Sequence, residues 1–145
     1  MRVFLDANVL FSASKSDGAV RRFLDLLVDR GHELWVDAFV IEEARRNLAN
    51  KFPEAQGALE RLLETSHRAP TSVRAVLPAD VDVVLPEKDR PVLAAAIRAG
   101  CDALVTGDKT HFGSLYGRNI SGVTVHSPAG LAASLFGPRP SAPKD

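Results

Sequence analysis

Four acidic residues fall where a chain of alternating strands and helices would bring their side chains together. They are Asp6, Glu43, Asp89 and Asp108. Each lies at the end of a predicted strand, just after one, or in the first turns of the following helix. Carboxylates that are crowded together repel one another and resist ionising unless a cation lies among them. The pattern therefore predicts a site for a hard divalent metal ion, which prefers oxygen ligands.

The elements that would position these acids alternate along the chain. Strands are predicted at residues 3–5, 34–36, 81–85, 103–106 and 123–126, and helices at 18–30, 38–51, 89–99 and 131–135. Pro53 is predicted to open a further helix. Residues 66–80 are predicted to form a loop, and the tail from Gly137 to be disordered. This alternation predicts one α/β domain over residues 1–136, with a parallel sheet of about five strands covered on both faces.

Ligands bind such sheets outside the carboxyl ends of the strands. Asp6 ends the first strand and thus lies at that edge. From Asp89 a helix of about 11 residues would descend roughly 16 Å. Gly100 would turn the chain, and the strand near residue 104 would climb back. Asp108 therefore returns to the edge where Asp89 began. Asp102 precedes its predicted strand, and Asp80 and Asp82 lie at the entry of theirs, so these three belong at the opposite edge.

Helix caps and turns are the common use of a single strand-end aspartate, and they offer an alternative for each residue. Asp89 can cap a helix that has Pro91 in its first turn, and Asp6 and Asp108 can be turn residues. N-capping explains Asp37 adequately. Glu43 lies on the flank of the apolar helix stripe and Glu42 points further toward solvent, so Glu43 is preferred as the second acid, with Glu42 as the alternative.

Composition narrows the class of protein. The chain has 145 residues, 46% of them hydrophobic and 25% charged, and its formal net charge is zero, so any phosphate-binding surface must be a local patch. The single cysteine, Cys101, excludes an internal disulfide and fits a reducing cytoplasm. The N-terminal apolar run is too short for a signal peptide, and no apolar run predicts a membrane span.

Three segments of the chain resemble a known family. They read "VFLDANVL", "VIEEARRNL" and "EKDRPVLAAAIRAGCDALVTGDKTHF". They resemble the signatures of the PIN domain, and most closely those of its bacterial toxin-like, VapC-type branch. The third segment is the most specific, because it joins two acids, a helix of small apolar residues and a Thr-Gly-Asp turn. The resemblance covers about residues 2–136.

The resemblance implies a three-layer α/β/α sandwich and a Mg²⁺- or Mn²⁺-dependent endoribonuclease that cleaves single-stranded RNA. It maps the metal-binding, catalytic acids onto Asp6, Glu43, Asp89 and Asp108, and supporting polar roles onto Asn8 and Thr106. A toxin would have a cognate antitoxin that covers the acidic cleft. The apolar positions of helices 38–51 and 53–65 are compatible with self-association and equally with core packing.

Other groups near the acids have less specific roles. Lys109 and Arg90 neighbour the acids in sequence and are the candidates for binding substrate phosphates, with Lys109 preferred. Further candidates are Lys15, Arg45, Arg46 and Arg118. For any one of these residues a solvated surface charge is the favoured alternative. The four histidines lack zinc-ligand spacing. His111 is the one near the proposed site, where a solvated turn residue is favoured over a substrate contact.

Three alternatives to a toxin nuclease remain. A haloacid-dehalogenase-like phosphatase also has an Asp after its first strand, but it needs a second Asp where this chain has Asn8. A phosphate-binding regulatory module would use an acidic pocket of the same kind. A PIN-fold protein could also act in RNA processing or RNA binding outside a toxin system.

Overall fold

The computed structural model describes residues 1–70 and 74–137. The strands in this part of the chain, β1 to β6, are Arg2–Leu5, Glu33–Val36, Ser66–Arg68, Ala103–Val105, Asn119–Ile120 and Val123–His126. The helices, α1 to α7, are Ala7–Lys15, Ala19–Asp29, Ala38–Lys51, Gln56–Glu64, Arg90–Arg98, Lys109–Phe112 and Pro128–Phe136. Short 3₁₀ turns at Pro53–Ala55 and Gly113–Leu115 precede α4 and follow α6.

The strands form one sheet in the order β3-β2-β1-β4-β6-β5. All neighbours are parallel except β5, which is antiparallel to β6. The chain proceeds from β1 to β2 and β3 on one side and then returns with β4 on the other side of β1. This reversal places a topological switch point between the carboxyl ends of β1 and β4, where ligands bind in sheets of this kind.

The centre of the sheet is fully buried. Val3, Phe4 and Leu5 of β1 have no exposed surface, and β4 is buried along its whole length. Parallel strands read as continuous apolar runs when helices cover both of their faces. The predicted three-layer α/β/α sandwich is confirmed, with six strands where about five were predicted.

Helix α1 occupies a stretch for which the sequence analysis predicted no element. Asp6 caps its N-terminus, because its Oδ1 accepts a hydrogen bond from the backbone N–H of Ala7 at 2.8 Å. Val9, Leu10 and Ala13 form its buried stripe. The helix follows β1 without a loop, so Asn8 and Phe11 are carried along the edge of the sheet where Asp6 lies.

The predicted strand at residues 81–85 is wrong. This segment is irregular, with Val84 89% exposed and Leu85 buried. The place beside β2 is occupied by β3, which lies in the segment that was predicted to be a loop. Residues 81–85 pair with no strand of the described chain. Asp89 is reached through a turn in which its N–H donates to the carbonyl of Pro86.

Several boundaries also differ from the prediction. Strand β5 was not predicted, and α7 begins at Pro128 rather than at Leu131. The apolar positions of α3 and α4 are buried in the core, for example Ile41, Leu48 and Leu59, so core packing accounts for them. Cys101 is buried as well, and burial raises its thiol pKa to about 12. Most of the predicted disordered tail, residues 138–145, lies outside the described residues.

Within the described residues, no helix has the length and apolarity needed to cross a lipid bilayer.

The β5–β6 hairpin contains a testable backbone feature. Its two turn residues, Ser121 and Gly122, have φ angles of 51° and 93°. A turn of this kind favours Asn before Gly, because Asn adopts the left-handed conformation at lower cost than Ser. We expect Ser121→Asn to raise the free energy of unfolding by about 0.5 kcal/mol in urea denaturation. Ser16→Asn, at a φ of −155°, is the control; an equal gain in both variants would contradict the turn assignment.

Candidate active site

The structure brings four acidic side chains to one cleft of about 410 Å³ at the switch point. Asp6 follows β1, Asp108 follows β4, and Asp89 immediately precedes α5. Glu43 reaches the cleft from the second turn of α3. These elements meet because β1 and β4 are adjacent and parallel, while α5 begins at the edge to which β4 returns.

Asp6 is the most constrained of the four. It is 6% exposed, and its Oδ2 accepts hydrogen bonds from Thr106 Oγ1 at 2.9 Å and from Asn8 Nδ2 at 3.2 Å. Asn8 Oδ1 in turn accepts from the Gly107 N–H at 2.8 Å. Thr106 Oγ1 also accepts from the Asp108 N–H at 3.2 Å. These bonds tie the end of β1 to the end of β4 and hold the Asp6 carboxylate in one orientation.

Gly107 permits this close approach. A Cβ at this position would lie 3.3 Å from Asn8 Oδ1, closer than most real Cβ contacts. A side chain there would push Asn8 away from the Gly107 N–H, and with it the amide group that donates to Asp6.

His111 connects the other two aspartates. Its Nδ1 lies 2.7 Å from Asp108 Oδ2 and 3.0 Å from Asp89 Oδ2. One ring nitrogen has at most one hydrogen to donate, and the hydrogen bond goes to Asp108. Asp89 Oδ2 therefore stays buried at ion-pair distance from His111 but without a hydrogen bond among the described residues. The prediction of a solvated turn residue is wrong, because Asp108 both caps α6 and holds this imidazole.

The electrostatics of the cleft oppose ionisation. The pKa of Asp6 is raised to about 6, mainly by burial. Hydrogen bonds from Thr106 and Ala7 lower this pKa, and the charges of Glu43 and Asp89 raise it further. Burial also raises the pKa of Asp89, partly offset by His111 and Lys88, and Asp108 adds to the rise. A cation among these groups would relieve both the desolvation cost and the repulsion.

The donor set fits a hard divalent cation. Ligand atoms of Asp89, Asp108 and His111 lie within 4.8 Å of one another, and within the described chain no other group of three potential ligands is that compact. Asp6 and Glu43 line the same cleft without joining this group. Mg²⁺ retains several of its waters in proteins and can contact further carboxylates through them. The buried Asp89 Oδ2, which accepts no hydrogen bond within residues 1–70 and 74–137, is an oxygen that such an ion would satisfy.

The alternatives for individual acids are resolved in different ways. Asp37 caps α3 by accepting from the Val40 N–H, as predicted. Asp89 precedes α5 but makes no side-chain capping bond, so its carboxylate is not engaged by its own helix. Glu42 and Glu43 are both exposed and both line the cleft. Of the two, Glu43 is the one whose charge raises the pKa of Asp6.

The two predicted phosphate-binding residues lie beside the cleft rather than in its lining. Lys109 is exposed and lines a neighbouring apolar groove with Tyr116 and Pro128. The Arg90 Nη1 donates to the carbonyl of Val83 at 3.4 Å. Of the further candidates, Arg46 lines the cleft and Arg45 forms an ion pair with Glu60.

Several cleft residues were not predicted from the sequence. They are Phe11, Phe39, Lys51, Arg74 and Lys88. Helical spacing offered a signal for α3, since Arg46 and Asn47 follow Glu43 by three and four residues and share its face. Arg74 and Lys88 reach the cleft from an irregular segment, for which the sequence carries no periodic signal.

Comparisons with known proteins agree with this architecture. The sequence profile of the PIN domain matches residues 2–110. The chain is also similar to VapBC2 from Rickettsia felis, solved bound to a DNA fragment from its promoter. The TM-score is 0.61 at 15% sequence identity, covering 88% of this chain and 98% of that one. At this identity the similarity shows the fold alone. No curated protein matches the chain.

The raised pKa of Asp6 predicts a distinctive pH dependence of stability. The folded pKa of about 6 exceeds the ordinary value of 3.8, so folding retains a proton that the unfolded chain releases between these values. The stabilisation that comes from this retained proton is fully present below about pH 4 and is lost as the pH rises to about 6. The free energy of unfolding falls by up to roughly 3 kcal/mol across that range. We expect Asp6→Asn to flatten the decline in unfolding free energy across that window, in urea titrations with a chelator present.

Asp82→Asn removes an exposed carboxylate outside the cleft and serves as the control. It should retain the wild-type slope of unfolding free energy against pH. Parallel curves for the wild type and Asp6→Asn would show that Asp6 is not a high-pKa group in the folded protein.

Proposed function

Since this chain belongs to the PIN domain family, we propose that it is a metal-dependent endoribonuclease that cleaves single-stranded RNA. PIN domains are generally metal-dependent nucleases. One observation carries the proposal for this chain: Asp6, Glu43, Asp89 and Asp108 line a single cleft, in which a buried oxygen of Asp89 accepts no hydrogen bond from any described residue. A site of this composition suits a cation more than it suits any anionic cofactor.

In this proposal the four acids hold Mg²⁺, for which Mn²⁺ can substitute. A bound ion would supply Lewis acidity for phosphodiester hydrolysis, activating water and offsetting negative charge on the phosphate. Asn8 and Thr106 act through Asp6, because both donate hydrogen bonds to its Oδ2. A carboxylate held in this way needs little reorganisation when it takes up its ligand. The expected products carry a 5′-phosphate and a 3′-hydroxyl.

His111 has a defined position between two of the proposed metal ligands. Its imidazole lies between Asp89 and Asp108. The Nδ1 atom is 2.7 Å from Asp108 Oδ2 and 3.0 Å from Asp89 Oδ2, and this keeps the two carboxylates near each other. An ion that binds both aspartates would replace that contact or recruit the imidazole as a further ligand. Lys109, in the neighbouring groove, and Arg90 remain proposed phosphate contacts outside the cleft itself.

The geometry of Asn8 argues against the phosphatase alternative. A phosphatase of that kind needs a second carboxylic acid two residues after the first aspartate. Here the Asn8 side chain is engaged through both of its polar atoms, with the amide nitrogen on Asp6 and Thr106 and the oxygen on the Gly107 N–H. It supports the first aspartate and has no proton to give to a leaving group.

We further propose that the chain is the toxin of a toxin–antitoxin pair, with a cognate antitoxin that covers the acidic cleft. The similar fold of VapBC2 supports this assignment. A small reading frame beside the gene, whose product binds this protein and inhibits its cleavage, would establish the pair. An RNA-processing role outside a toxin system is the outcome if no such inhibitor exists.

Substitution of the central acids tests the nuclease proposal. We expect Asp6→Asn and Asp89→Asn each to reduce Mg²⁺-dependent cleavage of a labelled single-stranded RNA by at least about 100-fold. Circular dichroism should show that both variants remain folded. The control Asp82→Asn should cleave like the wild type, because its carboxylate lies outside the cleft. Full cleavage by the two cleft variants would exclude the proposed site.

Thermal stability gives a second measure of the same site. A ligand that binds only the folded state raises the melting temperature. Millimolar Mg²⁺ should therefore stabilise the wild type and stabilise Asp89→Asn much less. A wild type whose melting temperature does not respond to metal would count against metal binding whatever the cleavage assay shows.

The two adjacent glutamates provide a matched pair of variants. Both line the cleft, but Glu43 acts on Asp6 electrostatically and is the proposed ligand. We expect Glu43→Gln to lower the rate of cleavage by about 10- to 100-fold and to raise the Mg²⁺ concentration needed for half-maximal rate. Glu42→Gln should change either quantity less than threefold. The reverse order would reassign the second acid to Glu42.

A further inference from the structure

The acidic cleft is bordered by a cation–aromatic rim, by which we mean Phe11, Phe39, Arg46, Lys51, Arg74 and Lys88. All six residues line the cleft together with the carboxylates. Lys51 lies eight residues beyond Glu43 on α3, about 12 Å along the helix axis. The cleft thus has acids at the switch point and cations with exposed side chains further along its wall.

Three cations near the rim lie over aromatic rings. The Lys51 and Lys15 Nζ atoms are 5.7 Å and 5.5 Å from the centroid of the Phe11 ring. The Arg74 guanidinium lies 5.0 Å from the centroid of Phe39. Cation–π contacts at exposed positions are weak, so a stronger anionic partner can draw these groups away at small cost.

The rim cations are also free of ion pairs. Within residues 1–70 and 74–137, Arg46, Lys51, Arg74 and Lys88 form no ion pair, although five carboxylates line the same cleft. Arg45, the immediate neighbour on α3, behaves differently, because its guanidinium binds Glu60 at 2.8 Å. A phosphate entering the cleft would therefore meet cations that need not leave a protein carboxylate first.

We infer that the cation–aromatic rim binds an unpaired stretch of RNA, with Lys51 and Arg74 on the phosphates and Phe11 and Phe39 stacking against bases. This inference rests on the proposed function, since it places the adjoining phosphodiester at the acids. Bases stack on aromatic side chains when they are unpaired, whereas a duplex keeps its bases stacked on one another. The rim thereby selects single strands, and the chain achieves this with a net charge of zero by concentrating its cations locally.

An acidic peptide is the other anion that such cations attract. It would use Lys51 and Arg74 but would gain nothing from stacking on the rings. The position of each cation beside an aromatic face therefore favours a ligand that alternates phosphates and bases.

Binding measured without catalysis tests the cations. The full-length protein in EDTA is titrated into a fluorescein-labelled single-stranded RNA of mixed sequence, and into the same strand annealed to its complement. We expect Lys51→Ala and Arg74→Ala each to weaken single-strand binding by about fivefold, and each to reduce the slope of log affinity against log salt by about 0.7. Arg45→Ala, whose side chain is paired with Glu60, is the matched control and should change neither quantity.

The rings are tested by a different signature. Phe39→Leu should weaken single-strand binding by about five- to tenfold with the salt slope unchanged, because stacking displaces no counterions. Binding of the duplex should be unaffected. Phe11→Leu is the second variant, because the Phe11 ring also packs against Phe52, with 5.8 Å between ring centroids, and its replacement changes that contact as well. Thermal melts verify that each variant is folded.

Three results would overturn the inference. The first is that Lys51→Ala and Arg74→Ala both bind single-stranded RNA as tightly as the wild type. The second is that Phe39→Leu loses single-strand and duplex binding equally. The third is that polyglutamate displaces the labelled RNA as effectively as unlabelled RNA does. Cleavage in Mg²⁺ separates this inference from the proposed function. If the wild type cleaves RNA and the rim variants bind and cleave as well as it does, the proposed role of the rim is refuted and the nuclease proposal stands. If the wild type binds single strands through the rim but cleaves no RNA, the nuclease proposal is refuted and the role of the rim stands.

Discussion

Burial of ionisable carboxylates at the switch point, to which their mutual repulsion adds, is the constraint on which the site of this structure depends. Asp6 is nearly buried between two central strands, and its pKa is raised to about 6 by burial and by the charges of Glu43 and Asp89. A group in this position reduces stability at neutral pH in the absence of a cation. The cost is set against a large apolar core, which includes Val3, Phe4 and Leu5 of β1 and all of β4.

Hydrogen bonds hold the Asp6 carboxylate in a fixed position although its burial is unfavourable. Thr106 and Asn8 both donate to its Oδ2, and Asn8 is itself held by the backbone of Gly107. The same residues join β1 to β4, so the local polar structure and the sheet register support each other. On the other side of the cleft, His111 holds Asp108 and lies at ion-pair distance from Asp89. Side-chain hydrogen bonds and ion pairs thus hold three of the four acids of the cleft.

Acidic and basic side chains occupy different parts of this one cleft, while the molecule as a whole carries no net charge. The acids gather at the carboxyl ends of β1 and β4, and Arg46, Lys51, Arg74 and Lys88 line the same cleft. Such a distribution attracts a polyanion to one place without making the surface generally basic. The acids and the cations have different chemical tasks, since the first suit a metal ion and the second suit phosphate oxygens.

The architecture and the acids could be predicted from the sequence because they depend on local patterns. Helix α3 has the predicted bounds, and its cap Asp37 behaves as expected. Asp6 and Asp108 were placed at the same edge because parallel strands must end together. Helix α1 escaped prediction, although the stripe Val9, Leu10 and Ala13 follows a capping Asp6.

Other features were decided by tertiary structure. Residues 81–85 have the composition of a strand but are irregular, and β3, from the segment predicted to be a loop, occupies the place beside β2 instead. His111 bridges two aspartates that are distant from each other in sequence, and Arg74 reaches the cleft from a segment without periodicity. Strand and helix patterns follow from the preferences of neighbouring residues, so the sequence alone determined most of the element types and the edge where the acids lie. Which side chains touch across that edge depends on distances between elements, and those distances exist only once the chain has packed.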